Sequence, residues 1–255
     1  MTQAQRRTRA LYGALLERLG PQGWWPADSP EEVCVGAILT QAVAWTNAHR
    51  AVVALRTADL IEPRHLARAD PQRVEACCRP AGYFRAKARK LQALARFVVE
   101  AGGLAALAAR PTDAVRAALL AVHGVGPETA DAILCYALGH PAMVADAYSR
   151  RVLGRVGLLA PDVPDRYAAA QAALAPCLPP GADAAWLGEW HALLVAVGKH
   201  WCRPRRPECL SCPAAAQCRH AWAHGPASVL GNLPPKGSGG GGSSERPRTA
   251  SDGRG

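Results

Sequence analysis

The chain has 255 residues, a length that suits one large domain or two small ones. Its 30 Lys and Arg residues against 20 Asp and Glu give a formal net charge of +10, which favours a polyanionic partner, nucleic acid before membrane. No apolar run approaches the roughly 18 residues that cross a bilayer and no secretory leader is evident, so we expect a soluble, cytoplasmic protein without a membrane partner.

Apolar residues recur three and four positions apart, which is the period of one face of an α-helix. The clearest stripes lie in residues 91–98, 152–159 and 186–197. Proline and glycine interrupt the pattern at residues 20–21, 62–63, 70–71, 110–111, 139–141, 160–161 and 179–181. Alternating runs of β-branched residues are scarce, so the predicted fold class is all-α, built from short helices.

Three tryptophans lie in or near the first apolar helix. Trp24 and Trp25 precede Pro26, and Trp45 follows Gln41 by four residues. Indole rings are most often core residues, and that interpretation stays open here. The alternative is a binding pocket, because an extruded nucleobase is typically held between aromatic faces. Gln41 is either a solvated helix residue or part of the same surface.

Two segments are suited to gripping a nucleic-acid backbone. Residues 83–91 begin a helix with four cations, although basic helix starts are often only solvated. Further on, Gly124, Val125 and Gly126 form a predicted tight turn before a helix with Pro127 as an early residue. Glycines let consecutive N–H groups point at one spot beside a helix N-terminus, where a DNA phosphate fits. A plain corner between two helices is the alternative.

Asp146 precedes a basic helix that contains Arg150 and Arg151. On the residues alone, this aspartate is either the N-cap of that helix or a functional carboxylate. No second acid is evident beside it. His123 and His191 have no partner at a suggestive spacing, and we interpret them as core or surface residues.

Four cysteines form the pattern C-x6-C-x2-C-x5-C after the last apolar stripe, at Cys202, Cys209, Cys212 and Cys218. Four thiolates this close can enclose one centre, and the wide first gap favours an iron–sulfur cluster over zinc or unligated thiols. The first gap also holds three cations, which are either a solvated run or contacts to phosphates, at Arg203, Arg205 and Arg206. Five further cysteines have no ligand spacing and are predicted core thiols: Cys34, Cys77, Cys78, Cys135 and Cys177.

The sequence changes character near residue 226. Beyond it the apolar pattern fades into the run GSGGGGSS and a polar mixture that cannot bury enough surface to offset chain entropy. We therefore predict a disordered tail at residues 226–255, which is either native or a cloning remnant.

The cysteine pattern is similar to the iron–sulfur loop of the endonuclease III family of DNA glycosylases. Residues 119–130, with Asp146 sixteen positions after Ala130, resemble the helix-hairpin-helix of the same superfamily. The resemblance implies a six-helix barrel at residues 31–143, a second lobe of residues 1–30 with 144–225, and a [4Fe–4S] cluster on the four cysteines. It also implies a nucleoid-associated monomer that acts on double-stranded DNA with a damaged base. The implied DNA contacts are Gln41, which would fill the hole left by the flipped base, with Gly124, Val125, Gly126, Arg150, Arg151, Arg203, Arg205 and Arg206.

The Trp-Trp-Pro string and the aromatic residue four positions after Gln41 resemble the 3-methyladenine DNA glycosylase branch of this superfamily. By this resemblance Trp24, Trp25 and Trp45 form the base pocket, and Lys199 either reaches the pocket or caps its own helix. Asp146 would be the catalytic residue that stabilises the sugar cation and orients water. Alkylation makes a purine cationic, and indole faces attract cations.

Glu128 occupies the position at which bifunctional members carry the lysine that attacks the sugar. Such a lysine forms an imine with the sugar, which a carboxylate cannot do, so we predict a monofunctional glycosylase. With the tryptophans, this predicts the release of alkylated purines such as 3-methyladenine and 7-methylguanine. Adenine-mismatch activity is disfavoured, because Gly36 stands near the place where that branch has a glutamate. The alternatives are an endonuclease III-like enzyme for oxidised or mismatched pyrimidines and a noncatalytic DNA-binding relative.

Overall fold

The computed structural model describes residues 1–224, which form helices joined by loops and turns. This part of the chain contains no strand and no helix long and apolar enough to cross a membrane, and the predicted all-α class is confirmed for it. The predicted tail lies outside the described residues. In chain order the helices are α1 (Gln3–Leu19), α2 (Pro30–Leu39), α3 (Trp45–Thr57), α4 (Pro63–Arg68), α5 (Pro71–Cys78), α6 (Phe84–Glu100), α7 (Leu104–Ala108), α8 (Thr112–Leu120), α9 (Pro127–Ala132), α10 (Ala147–Val156), α11 (Tyr167–Leu174), α12 (Ala184–His200) and α13 (Arg219–His224). Short 3₁₀ turns lie at Arg79–Ala81, Ala175–Cys177 and Ala215–Gln217, and a π-helical turn at Ile133–Ala137 continues α9.

The helices begin where the sequence supplies a proline or a capping side chain. Proline is the first residue of α2, α4, α5 and α9, where its missing N–H costs no hydrogen bond. Ser29, Asp146 and Asp183 cap α2, α10 and α12, and each side chain accepts a hydrogen bond from the N–H three residues later. The predicted interruptions therefore coincide with real helix boundaries.

The predicted apolar stripes are the inner faces of α6, α10 and α12. Their side chains are buried, apart from Trp186, which is half-buried. Buried apolar residues from Leu11 in α1 to Ala221 in α13 form one continuous core. The division into a barrel of residues 31–143 and a second lobe of residues 1–30 with 144–225 stays a prediction.

A buried carboxylate fastens α9 to its neighbours. Asp131 is 1% exposed and accepts four hydrogen bonds, two from Arg116 of α8 at 2.7 and 3.0 Å and one each from Tyr167 and Gln171 of α11 at 2.8 Å. Burying a charge is costly unless it is paired and hydrogen-bonded, and here every partner comes from a neighbouring helix. The hairpin formed by α8 and α9 is thereby fixed against α11.

Candidate active site

The predicted turn between α8 and α9 is a tight hairpin. Gly124 has a φ of +84°, which favours glycine, and a Cβ at this position would collide with the side chain of Lys90. Val125 is buried, and Gly126 is the extended residue before α9 begins at Pro127. The backbone of this turn therefore favours glycine at position 124, whereas Gly126 has a φ of −92° that any residue can adopt.

Asp146 uses its two carboxylate oxygens differently. Oδ1 accepts a hydrogen bond of 2.7 Å from the Ser149 N–H, so the aspartate is the N-cap of α10. Oδ2 lies 3.7 Å from Nε2 of His191, and the side chain is 14% exposed. Burial alone would raise the pKa of this carboxyl, but the nearby His191 imidazole and the Ser149 N–H outweigh burial and hold the pKa below its ordinary value. The cap interpretation is thus correct for Oδ1, while Oδ2 lies beside the His191 imidazole.

Glu128 is a second acid near Asp146, which the sequence did not reveal. Its side chain is open to solvent at the start of α9, yet the surrounding protein still desolvates it. Desolvation and then the charge of Asp146 raise the pKa of Glu128, while Arg150 and His191 act in the opposite direction. The site therefore holds two carboxyls whose pKa values are shifted in opposite directions, with Asp146 the more acidic of the two.

His191 belongs to the site, although its sequence spacing gave no partner. It lies in α12, is 6% exposed, and its Nδ1 is 2.6 Å from the hydroxyl of Tyr136 in the π-helical turn. The Tyr136 hydroxyl also lies 2.9 Å from the carbonyl of Gly188. The only sequence signal was a titratable ring inside a nearly continuous apolar helix, since a buried polar group requires partners.

The three predicted pocket tryptophans form one cluster. Ring centroids lie 5.5 Å apart for Trp24 and Trp25, 5.3 Å for Trp24 and Trp45, and 5.7 Å for Trp25 and Trp45. All three rings are half-buried, so they form a wall with a solvent-facing side. Trp25 also lies 5.6 Å from Tyr136, which continues the aromatic wall to His191 and so to Asp146.

A glycine sets the position of one of these rings. A Cβ on Gly36 of α2 would lie 3.0 Å from Nε1 of Trp25, a distance that real side chains hardly tolerate. The indole therefore rests directly on the backbone of α2, near the place where the adenine-mismatch branch would have a glutamate.

Comparison with known proteins decides the family. The profile of the HhH-GPD superfamily of base excision DNA repair proteins matches residues 35–178. The chain belongs to the HhH-GPD superfamily. A protein of Methanocaldococcus jannaschii that is provisionally named a DNA repair glycosylase is 37% identical over 211 residues, which cover 82% of this chain and 94% of that protein.

Solved structures show the same HhH-GPD fold. A non-covalent complex of endonuclease III with DNA is similar with a TM-score of 0.67 and 22% identity, over 88% of this chain and 98% of that chain. The 3-methyladenine DNA glycosylase of H. pylori bound to 1,N6-ethenoadenine is similar with a TM-score of 0.62 and 24% identity, over 78% and 98%. The resemblance to DNA glycosylases, and with it the expectation of a DNA-repair enzyme that binds DNA, is confirmed at the level of the family.

Gln41, which follows α2, contacts the hairpin between α8 and α9. Its amide nitrogen donates to the Gly124 carbonyl and the Thr129 hydroxyl, both at 3.0 Å, and its Oε1 accepts from Lys90 at 2.6 Å. To fill the hole left by a flipped base, Gln41 would have to exchange these partners for DNA. Its insertion role stays a prediction.

The predicted phosphate contacts at the start of α10 are engaged within the protein. Arg150 donates to Asp165 at 2.8 Å and to the Ala145 carbonyl at 2.9 Å. Arg151 donates to the carbonyls of Cys202 and Gly198 at 2.7 and 2.8 Å, which ties α10 to the end of α12. Both DNA contacts stay predictions, and Arg150 itself is only 19% exposed.

Lys199 lies exposed in the last turn of α12. Within residues 1–224 the cation–π contacts are made by arginines and not by Lys199. Its place in the base pocket stays a prediction.

The cysteine pattern lies beyond the HhH-GPD match, in the loop after α12. None of the four cysteines is in a disulfide; Cys202, Cys212 and Cys218 are buried and Cys209 is half-buried. Within residues 1–224 no three Cys, His, Asp or Glu side chains converge closely enough to hold a single metal ion. The donor set still suits a cluster by its chemistry, because four iron atoms hold their thiolates further apart than one zinc does.

The basic residues around this loop divide into two groups. Arg155 of α10 donates to the sulfur of Cys202 at 3.3 Å and to the carbonyls of Arg203 and Pro204 at 2.8 and 2.7 Å. The three arginines predicted to reach DNA are exposed, and Arg203 pairs with Glu208 at 3.2 Å. The described part of the loop thus presents cations outward, as the predicted phosphate contacts at Arg203, Arg205 and Arg206 require.

Proposed function

We propose that the chain is a monofunctional DNA glycosylase that removes alkylated purines such as 3-methyladenine and 7-methylguanine, with water as the nucleophile. The observation that carries this proposal is the half-exposed cluster of Trp24, Trp25 and Trp45, which connects through Tyr136 to the Asp146 site. The proposed partner of the protein is double-stranded DNA with a damaged base, and we propose that the protein acts as a monomer.

The indole wall suits a cationic base. A purine alkylated at N3 or N7 carries a positive charge, and the face of an indole attracts a cation by about 0.5 to 2 kcal/mol. The H. pylori glycosylase of this fold is described as a 3-methyladenine DNA glycosylase bound to 1,N6-ethenoadenine, which supports a flipped purine as the occupant. Such a base is already a good leaving group, so the site has to stabilise mainly the sugar.

Asp146 supplies that stabilisation. As the bond to the base breaks, C1′ of the sugar gains positive charge, and an ionised carboxylate held in place lowers the free energy of this transition state. Oδ2 of this carboxylate can also accept a hydrogen bond from the water that attacks C1′. The low pKa of Asp146 means that the carboxylate is charged at neutral pH without a further change.

Glu128 supports a reaction that stops at the abasic site. A lysine at this position could form a Schiff base with the sugar, whereas a carboxyl cannot. Desolvation and the charge of Asp146 raise the pKa of Glu128, so it is a weaker acid than Asp146. We therefore expect no covalent adduct when the protein acts on damaged DNA in the presence of borohydride.

The substrate proposal predicts a ranking of base release. Purified protein should release methylated purines from duplex DNA faster than it releases oxidised pyrimidines, uracil or mismatched thymine. Trp45→Ala should lower the release of methylated purines by roughly 5- to 100-fold, because base–aromatic stacking is lost. Trp222→Ala is the matched control, since this indole is 36% exposed on α13 and lies outside the cluster.

Other outcomes of this assay would support one of the two alternative functions. Faster release of oxidised pyrimidines, or a borohydride-trapped adduct with the unmodified protein, would favour the endonuclease III-like alternative, which the fold similarity to endonuclease III also supports. Salt-dependent binding without release of any base would identify a noncatalytic relative.

We also propose that Cys202, Cys209, Cys212 and Cys218 hold a [4Fe–4S] cluster with a structural role. Burial, followed by the nearby cysteines, raises the pKa of Cys212 to about 12, so a metal centre must displace its proton. Protein purified without oxygen should contain about four iron atoms and matching sulfide per chain. Cys212→Ser should lose this iron, and Cys34→Ser, a buried thiol of α2, should retain it. One zinc ion per chain instead of iron would contradict the proposal.

A further inference from the structure

His191 is the residue of this site that the proposed reaction does not use. Its ring is buried in α12 between the hydroxyl of Tyr136 and the carboxylate of Asp146. A buried imidazole is costly unless its nitrogens have partners, and the two groups on either side of it are both polar. The role of His191 depends on which of its two ring nitrogens carries a proton.

The possible hydrogen bonds limit the answer. The Gly188 carbonyl can only accept, and it lies 2.9 Å from the Tyr136 hydroxyl, which has one proton to donate. If that proton goes to Gly188, then Nδ1 of His191 must donate to Tyr136 at 2.6 Å. If it goes to His191 instead, then Nδ1 is the acceptor and the neutral ring carries its proton on Nε2.

The second arrangement places an N–H on Nε2. This nitrogen is buried, makes no hydrogen bond within residues 1–224, and lies 3.7 Å from Oδ2 of Asp146, just beyond hydrogen-bond distance. The Ser149 N–H holds Oδ1. A small approach of the two side chains would therefore let the Nε2–H donate to Oδ2.

We propose that His191, oriented by Tyr136, is a positioning residue that holds the Asp146 carboxylate ionised and directed at the sugar. This inference rests on the catalytic role proposed for Asp146. The packing around Tyr136 supports a fixed orientation, because a Cβ on Gly188 would lie 3.0 Å from Cε1 of that ring. The aromatic wall and the carboxylate are thus joined by one chain of contacts.

The charged groups around His191 define the expected effect. Asp146 faces it from the start of α10, Tyr136 from the π-helical turn and Glu128 from α9, while Arg150 of α10 acts on Glu128 and Glu189 of α12 acts on Tyr136. Tyr12 of α1 packs on the other side of α12, against Trp186 and Trp190. If His191 is replaced by an apolar residue, Asp146 stays buried without its partner and its pKa should rise.

Base release should depend on the protonation state of Asp146. Asp146 acts as the ionised form, so base release is lost as the pH falls through its pKa. In the unmodified protein this loss occurs at low pH, because the pKa of Asp146 is held down. In His191→Leu the acidic limb of the rate profile should move towards neutral pH, and the rate at neutral pH should fall on the order of 10- to 100-fold.

The experiment compares His191→Leu, His191→Gln and Tyr136→Phe with the unmodified protein. The first readout is the titration of the Asp146 carboxyl carbon by 13C NMR, which needs no activity, and the second is single-turnover base release against pH. Gln keeps an N–H donor near the position of Nε2, so it should restore part of the rate and part of the titration shift. Tyr136→Phe should shift both readouts in the same direction as His191→Leu, but less.

The control is His140→Leu, another buried histidine, whose Nδ1 lies 3.0 Å from the Thr112 hydroxyl. It should leave the Asp146 titration and the acidic limb unchanged. An unchanged Asp146 midpoint in His191→Leu overturns the inference, and if that variant does not fold, an unchanged midpoint in His191→Gln and Tyr136→Phe does the same. A protein that releases no base, yet shows the titration shift, refutes the proposed function and leaves the pairing of His191 with Asp146 established.

Discussion

Asp146→Asn is expected to lower base release under single-turnover conditions by at least about 100-fold, while the protein still binds damaged DNA. The substitution removes the negative charge that stabilises the sugar cation. It keeps an oxygen that can accept the Ser149 N–H, so α10 should still begin at the same place. The measurement is the rate of base release at saturating enzyme, together with the dissociation constant for the damaged duplex.

Asp183→Asn is the matched control for this substitution. Asp183 caps α12 with the same geometry, accepting the Trp186 N–H at 2.8 Å, but it lies outside the site. Its rate should equal that of the unmodified protein. A rate for Asp146→Asn within a few-fold of the control would reduce Asp146 to a helix cap and end its assignment as the catalytic carboxylate.

Asp131→Ala is expected to lower the free energy of unfolding by about 1 to 3 kcal/mol, because it removes the acceptor of four hydrogen bonds, while Arg116 is 30% exposed and can be hydrated. Arg116 would lose both of its hydrogen bonds to Asp131, and Tyr167 would lose the carboxylate to which its hydroxyl donates. The measurement is urea unfolding followed by circular dichroism, with the same slope required for both proteins.

Asp165→Ala tests whether burial causes this effect. Asp165 also pairs with an arginine, Arg150, at 2.8 Å, but its side chain is 88% exposed. Exposed ion pairs contribute little, so the midpoint should hardly change. If both substitutions destabilise the protein equally, the network around Asp131 does not hold the hairpin to α11.

Much of the backbone could be predicted from the sequence, because its signals are local. Proline at the first helical position, glycine in the turn at Gly124 and the apolar stripe of α6 each act within a few residues, and the structure follows them. The N-cap role of Asp146 was also readable, since a capping side chain and its N–H are three residues apart.

The hydrogen-bond partners of the Lys and Arg side chains could not be predicted in the same way. Lys87, in the basic start of α6, is 2% exposed and donates to the carbonyls of Leu39 and Ala81 at 2.7 and 2.8 Å. Arg151 likewise donates to carbonyls at the end of α12. The last carbonyls of a helix have no partner within it, and which distant cation satisfies them depends on how the helices pack.

The contact between His191 and Asp146 was missed for the same reason. These residues are 45 positions apart, and only the packing of α10 against α12 brings them together. Glu128 and Asp146 meet in the same way, through the hairpin and the start of α10. Contacts between helices that are far apart in the sequence leave no local signal in it.

The contact between Trp25 and the backbone of Gly36 has a consequence for how specificity can change in this fold. A carboxylate introduced at position 36 would need the space that the indole occupies, since even a Cβ there would lie 3.0 Å from the ring nitrogen. If the tryptophans bind a charged base as proposed, an acid at position 36 and that aromatic surface compete for the same volume, and a descendant of this chain could acquire the one only by giving up the other.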